Sequence, residues 1–386
     1  MFNLAKRTGQ IMPFYAVEVF KQVSALKEQG KDIISLGIGE PDFTAPEAVV
    51  AELERAARSG LSGYSEPAGL AQLRQAVASY YKDHFGANVS PERVIITSGA
   101  SGALTLAALA LINPGDEVLM PDPSYPANQN FIMGAGGIPR LIPCTKEQRF
   151  QLDANTVAEN WGPNTKGVLI ASPSNPTGTS IQPQALQELI NEVRKRNGFI
   201  IMDEIYLGLY YDGKPESALV LDDNIIVINS FSKYFHMTGW RLGWVIAPKE
   251  LIPAIDKLAA SLAICAPTLS QHAALACFQP EVMDIYRERK ESFRKRRDYL
   301  VPALEEIGLK VPVKPDGAFY VYTDIREYSD NSMEFSNKLL HEAGVAVVPG
   351  QDFGPAHASY SLRFSYATKM DQLQEAVHRM RRFLAG

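Results

Sequence analysis

The chain has 386 residues, 46% of them hydrophobic and 21% charged, and its 38 basic and 43 acidic side chains give a net charge of −5. Because this length exceeds that of one ordinary core, the composition predicts a globular protein with two domains. The balanced charge argues against nucleic-acid binding, and the longest apolar stretch, residues 103–112, is too short to cross a membrane.

The cysteines give no sign of a disulfide framework or a metal site. Cys144, Cys265 and Cys277 lie far apart and lack CxxC spacing, so we expect neither a disulfide framework nor zinc or another bound metal. The opening residues "MFNLAKRTGQ" contain no apolar signal region. Together these features predict a protein of the reducing cytoplasm.

From about residue 90, short β-branched runs alternate with longer helical patterns. The helical patterns "SGALTLAALALI" and "PQALQELINEVRKR" lie between predicted strands, which are, in chain order, "RVIIT", "EVLMP", "KGVLIASP", "GFIIMDE", "NIIVINS" and "RLGWVIAP". Near-continuous apolar strands that alternate with helices predict an α/β fold with a mostly parallel sheet covered by helices on both faces.

The pattern changes after about residue 280. A long charged helix, "MDIYRERKESFRKRRDYLVPALEEIG", is followed by "GAFYVYTDI", another helix and "SYSLRFSYA", which together predict a smaller α+β domain. We expect the N-terminal arm to pack with this part of the chain. The predicted division is therefore a large cofactor-binding domain, 46–279, inserted into a discontinuous small domain, 1–45 and 280–386.

Five polar loops follow the predicted strands. In open α/β sheets, ligands bind beyond the carboxyl ends of the strands, so these loops should converge on one rim. They are "TSGAS" (97–101), "PSYP" (123–126), "SPSNPTG" (172–178), "DEIY" (203–206) and "SFSK" (230–233).

Part of this rim has the chemistry of a phosphate site. "TSGAS" is a small-residue turn that opens a helix near Ser101, and a helix N-terminus offers free N–H groups and a partial positive charge. Ser230, Ser232 and Arg241 add hydroxyl donors and a permanent cation. Arg241 taken alone would equally fit an ion pair at the surface or between domains.

Four other rim residues could act on the same ligand. Lys233 follows an apolar strand, where desolvation lowers the pKa of an amine and exposes a nucleophile, although most lysines are solvated. Asp203 ends a buried strand and could hold a protonated ring nitrogen, or simply cap a turn. Tyr206 could point its phenol into the site or pack in the core. Asn175 could point its amide into the site or simply start an Asn-Pro turn.

Six motifs in consistent order and spacing carry a resemblance to a known family. The chain resembles fold-type I pyridoxal-phosphate aminotransferases of class I/II from about residue 35 to 367. The motifs are "LGIGEPDF", "YSEPAG", "SPSNPTG", "DEIY", "SFSKYFHMTGWRLGW" and "RFSYA".

This resemblance implies a catalytic role for three residues and a supporting one for Asn175. Lys233 resembles the lysine that holds pyridoxal 5'-phosphate as a Schiff base and, once freed, moves the proton at the substrate Cα. Asp203 resembles the carboxylate that keeps the pyridine nitrogen protonated. Tyr206 and Asn175 resemble the pair that hydrogen-bonds the ring oxygen of the cofactor.

The resemblance also implies how the phosphate is held. The backbone N–H of Ala100 and the side chains of Ser101, Ser230, Ser232 and Arg241 would bind it. The serines and the arginine would then anchor the cofactor so that its aldehyde meets the lysine.

Other positions are implied to complete the site around the ring and the substrate. Tyr125 resembles the aromatic residue that stacks on the ring. Arg363, on the alternating strand "SYSLRFSYA", resembles the arginine that binds the α-carboxylate, and the N–H of Gly39 would lie close to the same carboxylate. Tyr64 resembles a tyrosine that reaches the phosphate of the partner subunit, which implies a homodimer with shared sites.

One departure from the family bears on the substrate. Acid-selective relatives often have a lysine where this chain has Ser101, and no replacement cation is apparent nearby. Phe14 and Tyr15 would lie over the substrate entrance, or simply pack within the arm. We therefore expect neutral donors, such as alanine or aromatic amino acids, to pass their amino group to a 2-oxo acid at least as well as aspartate does.

Other functions on the same scaffold stay open at this point. A C–S lyase or a cyclopropane-forming synthase would share Lys233 and Asp203, and release of pyruvate and ammonia without an acceptor would identify a lyase. A non-catalytic, cofactor-binding regulator is a further alternative, but such regulators carry a basic DNA-binding domain ahead of the cofactor domain, and we expect no room for one here.

Overall fold

The computed structural model describes residues 2–11 and 13–386. Their α-helices are distributed along the whole chain. They are α1 (Tyr15–Glu28), α2 (Glu47–Arg58), α3 (Ala71–Phe85), α4 (Gly99–Leu111), α5 (Ala127–Gly134), α6 (Ala154–Asn160), α7 (Pro183–Arg194), α8 (Ile252–Ala263), α9 (Thr268–Ala274), α10 (Pro280–Glu306), α11 (Ser332–Lys338) and α12 (Met370–Leu384).

The strands of the described residues form one large and two small sheets. They are β1 (Ile34–Ser35), β2 (Val94–Thr97), β3 (Glu117–Asp122), β4 (Ile138–Pro143), β5 (Thr165–Ala171), β6 (Phe199–Asp203), β7 (Ile226–Ser230), β8 (Gly243–Ile246), β9 (Tyr320–Asp324), β10 (Val345–Ala346), β11 (Val348–Pro349) and β12 (Ser361–Ser365).

The large sheet has the strand order β2-β8-β7-β6-β5-β3-β4. Its central strands are apolar and buried because helices cover both faces. On β6, for example, Ile200 and Met202 belong to the core that contains α3 and α7, whereas Ile201 belongs to the core that contains α4 and α8. Side chains alternate between the two faces of a strand, so a continuous apolar run supplies both cores at once. The predicted α/β fold class is confirmed.

Two features of this sheet differ from the pattern read in the sequence. Strand β4 was not among the predicted strands, because it lies at the edge, includes two prolines and is only partly buried. Strand β8 runs antiparallel to both of its neighbours. It follows β7 after a short connection, which holds a 3-10 turn at Thr238–Trp240, so the chain returns beside β7 in the opposite direction.

The smaller sheets lie among the C-terminal elements. One has the antiparallel order β11-β12-β9, and in the other β1 pairs in parallel with β10, so that Ile34 aligns with Val345. Helix α1 joins this region through Val23 and Leu26, which share a small apolar cluster with Leu340. The arm therefore packs beside the C-terminal part of the chain. The domain boundaries proposed from the sequence stay a prediction.

Among the helices of residues 2–11 and 13–386, none combines the length and the apolar character that spanning a lipid bilayer requires.

Candidate active site

A cavity of about 370 Å³ opens at the carboxyl ends of β5, β6 and β7. Such a volume is typical of a small-molecule site. Most of the residues selected from the sequence line it, and they come from six or more separate segments of the chain. These residues are Gly39, Ala100, Ser101, Tyr125, Asn175, Asp203, Tyr206, Ser232, Lys233, Arg241 and Arg363.

The amine of Lys233 lies inside this cavity. Lys233 follows β7, and its Nζ donates a hydrogen bond of 2.5 Å to the carbonyl oxygen of Gly39. Burial lowers the pKa of Lys233 to about 8, although the nearby charge of Glu40 acts in the opposite direction. Part of the amine is therefore uncharged near neutral pH, as a nucleophilic lysine requires.

The carboxylate of Asp203 ends β6 in the same cavity. One oxygen, Oδ1, accepts a hydrogen bond of 3.0 Å from the backbone N–H of Ile205. Burial raises the pKa of Asp203 to about 6, and the positive charge of Lys233 partly offsets this increase. A cationic N–H donor in the cavity would keep the carboxylate ionised, so this position suits a protonated ring nitrogen.

Helix α4 and Arg241 form an anion-binding corner. The helix begins at Gly99, two residues before the predicted start near Ser101. The guanidinium of Arg241 approaches so closely that a Cβ added to Gly99 would lie 2.5 Å from Nη2. Arg241 itself adopts φ 52°, a conformation that is uncommon for residues other than glycine, and its Nη1 donates to the carbonyl of Thr238 at 2.9 Å. The N-terminus of α4 and the guanidinium of Arg241 therefore lie side by side, so that both can bind the same anion.

The two serines after β7 have different positions. Ser232 lines the cavity, as expected. Ser230 is buried behind it, with its hydroxyl oxygen 2.9 Å from Oγ of Ser232 and 3.0 Å from the carbonyl oxygen of Leu242. Ser230 thus supports Ser232 and the neighbouring strand, and it lies outside the cavity lining described above.

Arg363 also lines the cavity, and its side chain is buried. Its Nη1 donates to Oδ1 of Asn175 at 2.9 Å, and its Nη2 donates to the carbonyl of Gly37 at 2.6 Å. The buried Nε has no hydrogen-bond partner among the described residues. Because each terminal nitrogen carries a second N–H, this fixed guanidinium can still bind a carboxylate through two donors.

Tyr206 contacts a residue that was not selected from the sequence. The hydroxyl groups of Tyr206 and Tyr320 lie 2.9 Å apart, and both side chains are buried. Tyr320 begins β9, which pairs with the Arg363 strand β12. The motif "GAFYVYTDI" was read only as a strand of the second domain. Its pairing with "SYSLRFSYA" is the signal that could have placed Tyr320 in the site.

Other cavity residues were also missed or assigned only loosely. Asp352, Phe353, Glu40 and Thr238 line the cavity, and the Thr238 hydroxyl donates to the Glu40 carboxylate. Glu40 and Thr238 lie within the motifs "LGIGEPDF" and "SFSKYFHMTGWRLGW", from which only other residues were selected. Asp352 and Phe353 lie in a segment that contains none of the six motifs.

The N-terminal arm covers one side of the cavity. Phe14 lines it, and its ring centroid lies 5.8 Å from that of Tyr125. Burial raises the pKa of Tyr125 to about 12, so its phenol stays neutral. The backbone N–H of Tyr15 donates to Oδ1 of Asp352 at 2.8 Å, which fastens the start of α1 to the cavity rim. The arm thus contributes an apolar wall.

Tyr64 stands apart from the other selected residues. It is 81% exposed and lies outside the cavity lining in the described part of the chain.

Within residues 2–11 and 13–386, no group of three His, Cys, Asp or Glu side chains is placed to hold a metal ion.

The comparisons with known proteins agree with this geometry. Residues 31–380 match the family described as aminotransferase class I and II. The chain is 38% identical to a valine–pyruvate aminotransferase of Mycobacterium tuberculosis, covering 98% of this chain and 97% of that relative. It is 35% identical to an aspartate aminotransferase of Thermotoga maritima over 99% of both chains. The chain therefore belongs to the class I and II aminotransferases, which depend on pyridoxal phosphate.

Solved structures show the same similarity in three dimensions. An aminotransferase from Mycobacterium tuberculosis superposes with a TM-score of 0.96, at 38% identity and 100% coverage of both chains. The aspartate aminotransferase of Thermus thermophilus with maleate superposes with a TM-score of 0.93, at 34% identity, covering 99% of this chain and 100% of that one. The fold is thus that of the fold-type I aminotransferases.

The residues in the cavity fit pyridoxal phosphate. A reactive amine at Lys233 and a carboxylate at Asp203 share the cavity with an anion-binding corner built from α4, Ser232 and Arg241. The backbone of α4 approaches Arg241 so closely that only glycine fits at position 99 without displacing the guanidinium. Amine, carboxylate and anion corner are the donor set that this cofactor requires.

The close approach at Gly99 generates a prediction. Gly99→Ala should weaken binding of pyridoxal phosphate about tenfold, because a Cβ would displace the Arg241 guanidinium and strain a residue with φ +73° by about 1–3 kcal/mol. Fluorescence titration of the cofactor-free protein measures this change. Gly134→Ala is the matched control, since an added Cβ there meets nothing within 4 Å. Equal cofactor affinity in Gly99→Ala and wild type would contradict the role of this corner.

Proposed function

We propose that this enzyme transfers the amino group of a neutral or aromatic amino acid to a 2-oxo acid, with Lys233 and Asp203 at the reacting centre. The supporting observation is that the cationic side chains lining the cavity in the described chain are Lys233, Arg241 and Arg363. We assign them to the cofactor aldehyde, the phosphate and the α-carboxylate, so none is left to bind an acidic side chain of the donor. The aminotransferase names of the relatives support transamination rather than a lyase or synthase reaction.

When bound, pyridoxal phosphate supplies an aldehyde that takes up the amino group and a ring that withdraws electrons. Lys233 holds the cofactor and, when free, takes and returns the proton at the substrate Cα. Asp203 keeps the proton on the ring nitrogen. Tyr206 donates to the ring oxygen together with Asn175, whose amide N–H groups are available because its oxygen already accepts from Arg363.

The remaining groups anchor the two charged ends of the ligands. The first turn of α4, through the N–H of Ala100 and the hydroxyl of Ser101, binds the phosphate with Ser232 and Arg241. Ser230 contributes by fixing Ser232.

The substrate is held at the other end of the cavity. Arg363 binds the α-carboxylate through its free N–H groups, and the backbone N–H of Gly39, which also lines the cavity, is the further donor that we assign to this carboxylate. Tyr125 covers the cofactor ring next to Phe14.

The donor preference follows from what surrounds the substrate side chain. Ser101 offers a hydroxyl where a cation would be needed for a second carboxylate, and Phe14 adds apolar surface. The buried carboxylate of Asp352 also lines this cavity and would repel another anion. Desolvating an unpaired carboxylate is costly, so neutral donors should bind better. The valine–pyruvate relative agrees with this proposal, whereas the aspartate aminotransferases among the relatives represent the alternative.

A screen of donors and acceptors tests this preference, and Ser101→Lys sharpens the test. In the wild type we expect kcat/KM for alanine, valine or phenylalanine to equal or exceed that for aspartate. Ser101→Lys should shift this ratio toward aspartate at least tenfold, about 1.4 kcal/mol, because the ammonium pairs with the second carboxylate. Ser101→Met, a long side chain without charge, is the control: it loses the same phosphate-binding hydroxyl as Ser101→Lys, but it should not shift the ratio between donors toward aspartate.

A wild-type enzyme that prefers aspartate tenfold would contradict the proposed donor class. It would leave the cofactor chemistry intact and show that a cation from another chain reaches the cavity.

We also propose a homodimer in which Tyr64 enters the partner's site. Tyr64, Leu262 and Ile264 are exposed large apolar side chains. Pro67, Leu262 and Cys265 line a groove of about 140 Å³, and exposed apolar surface of this kind is typical of an interface. A second copy of this chain is the occupant that would bring the Tyr64 phenol to a phosphate. The cytoplasmic location inferred from the composition stays a prediction.

Mixed dimers test the shared site. Neither Lys233→Ala nor Tyr64→Phe homodimers should show full activity at limiting cofactor. After joint refolding, a dimer of the two variants should regain one normal site, because an intact Lys233 then meets an intact Tyr64 from the other chain. Activity and cofactor affinity of purified mixed dimers measure this. A monomer in sedimentation, or mixed dimers without rescue, would contradict the proposal.

A further inference from the structure

Tyr320 contacts two residues that line the cavity, Tyr206 and Arg363. It begins β9, is fully buried and lines the cavity between Tyr206 and Arg363. Its hydroxyl and its ring have different neighbours, so the two parts of the side chain can be analysed separately.

The hydroxyl of Tyr320 lies 2.9 Å from that of Tyr206. Each phenol has one proton, so Tyr206 can donate to only one acceptor at a time. When Tyr206 donates to a ligand in the cavity, its oxygen is free to accept, and Tyr320 becomes the donor to it. A donor of this kind strengthens the hydrogen bond that Tyr206 makes in turn, since successive hydrogen bonds polarise each other.

The ring of Tyr320 lies against the guanidinium of Arg363. The central carbon of that group is 4.4 Å from the ring centroid, and Phe353 provides a second ring at 5.0 Å. Stacking of this kind favours a guanidinium plane with a fixed tilt. The hydrogen bonds from Arg363 to Asn175 and Gly37 fix its edge, so the stacked rings supply the remaining restraint.

The position of Tyr320 is itself restrained by Gly39. A Cβ added to Gly39 would lie 2.9 Å from the Tyr320 hydroxyl oxygen, so the loop that accepts the Lys233 hydrogen bond also bounds this phenol. Tyr320 therefore lies next to three residues assigned to the site, which are Tyr206, Arg363 and Gly39.

We propose that Tyr320 is a positioning residue with two separable effects: its hydroxyl orients the Tyr206 phenol toward the cofactor ring oxygen, and its ring orients Arg363 toward the substrate carboxylate. This inference rests on the proposed function, because it concerns the same site.

Two substitutions separate these effects. Tyr320→Phe keeps the ring and removes the hydroxyl, so kcat should fall about three- to tenfold, while KM for the donor stays within twofold. The absorbance spectrum of the bound cofactor at fixed pH should also change, since its ring oxygen receives a weaker hydrogen bond. Tyr320→Leu removes the ring as well, so KM should additionally rise about tenfold.

A binding measurement confirms the second effect without turnover. The unreactive analogue 2-methylalanine has the same α-carboxylate, and its dissociation constant follows from spectral titration of the loaded enzyme. We expect wild-type affinity in Tyr320→Phe and about tenfold weaker affinity in Tyr320→Leu. Thermal unfolding of both variants shows whether the fold is kept. Tyr322→Phe, a buried position two residues along β9, is the control, and all of these constants should stay unchanged.

The outcomes distinguish this inference from the proposed function. A wild-type protein that binds no pyridoxal phosphate would overturn the function. Normal cofactor binding together with a wild-type spectrum and kcat in Tyr320→Phe would overturn the hydroxyl effect, and unchanged 2-methylalanine affinity in Tyr320→Leu would overturn the ring effect.

Discussion

The site depends on one physical constraint, which is that an amine and a carboxylate are buried in the same cavity. Burial lowers the pKa of Lys233 to about 8 and raises that of Asp203 to about 6. The same desolvation that makes the amine a nucleophile leaves the carboxylate in need of a cationic partner. A cofactor that reacts with an amine and presents a protonated ring nitrogen satisfies both groups. This explains why the two side chains share one cavity although they follow different strands.

The second requirement is that distant segments hold this cavity in shape. Arg363 on β12 is tied to Asn175 beyond β5 and to Gly37 near the N-terminus, while Tyr320 on β9 reaches Tyr206 beyond β6. These hydrogen bonds join the antiparallel C-terminal sheet to the rim of the large sheet. Since the contacts are buried and polar, their geometry is demanding, and the loss of one partner leaves the other unsatisfied.

The features predicted best from the sequence are the central strands of the sheet and the polar residues at their carboxyl ends, because both follow from the pattern of apolar residues. Near-continuous apolar runs that end in polar residues placed Asp203 and Lys233 at one edge of a sheet, and the cavity contains both. Strand β4 was missed because an edge strand with prolines lacks that periodicity. The direction of β8 was not predicted either, since the apolar pattern of a strand is the same in both directions.

Contacts between separate parts of the chain were less accessible. Nothing in the local sequence around Tyr320 shows which side chain its hydroxyl meets, because Tyr206 lies 114 residues away. Ser230 illustrates a related case, since the resemblance implied a phosphate ligand and only the structure shows that its hydroxyl lies beside Ser232 and the carbonyl of Leu242. Its contact with the phosphate stays a prediction. The family resemblance identified residue types, whereas side-chain directions required the folded structure.

The central claim is that Lys233 forms the covalent link to pyridoxal phosphate, and trapping that link tests it most directly. Borohydride reduction of the yellow, loaded protein, followed by peptide mapping, should place a single stable pyridoxyl group on Lys233. Lys233→Arg, which keeps a positive charge at this position, should carry none. A label on a different lysine, or a colourless protein that does not respond to added cofactor, would contradict the account.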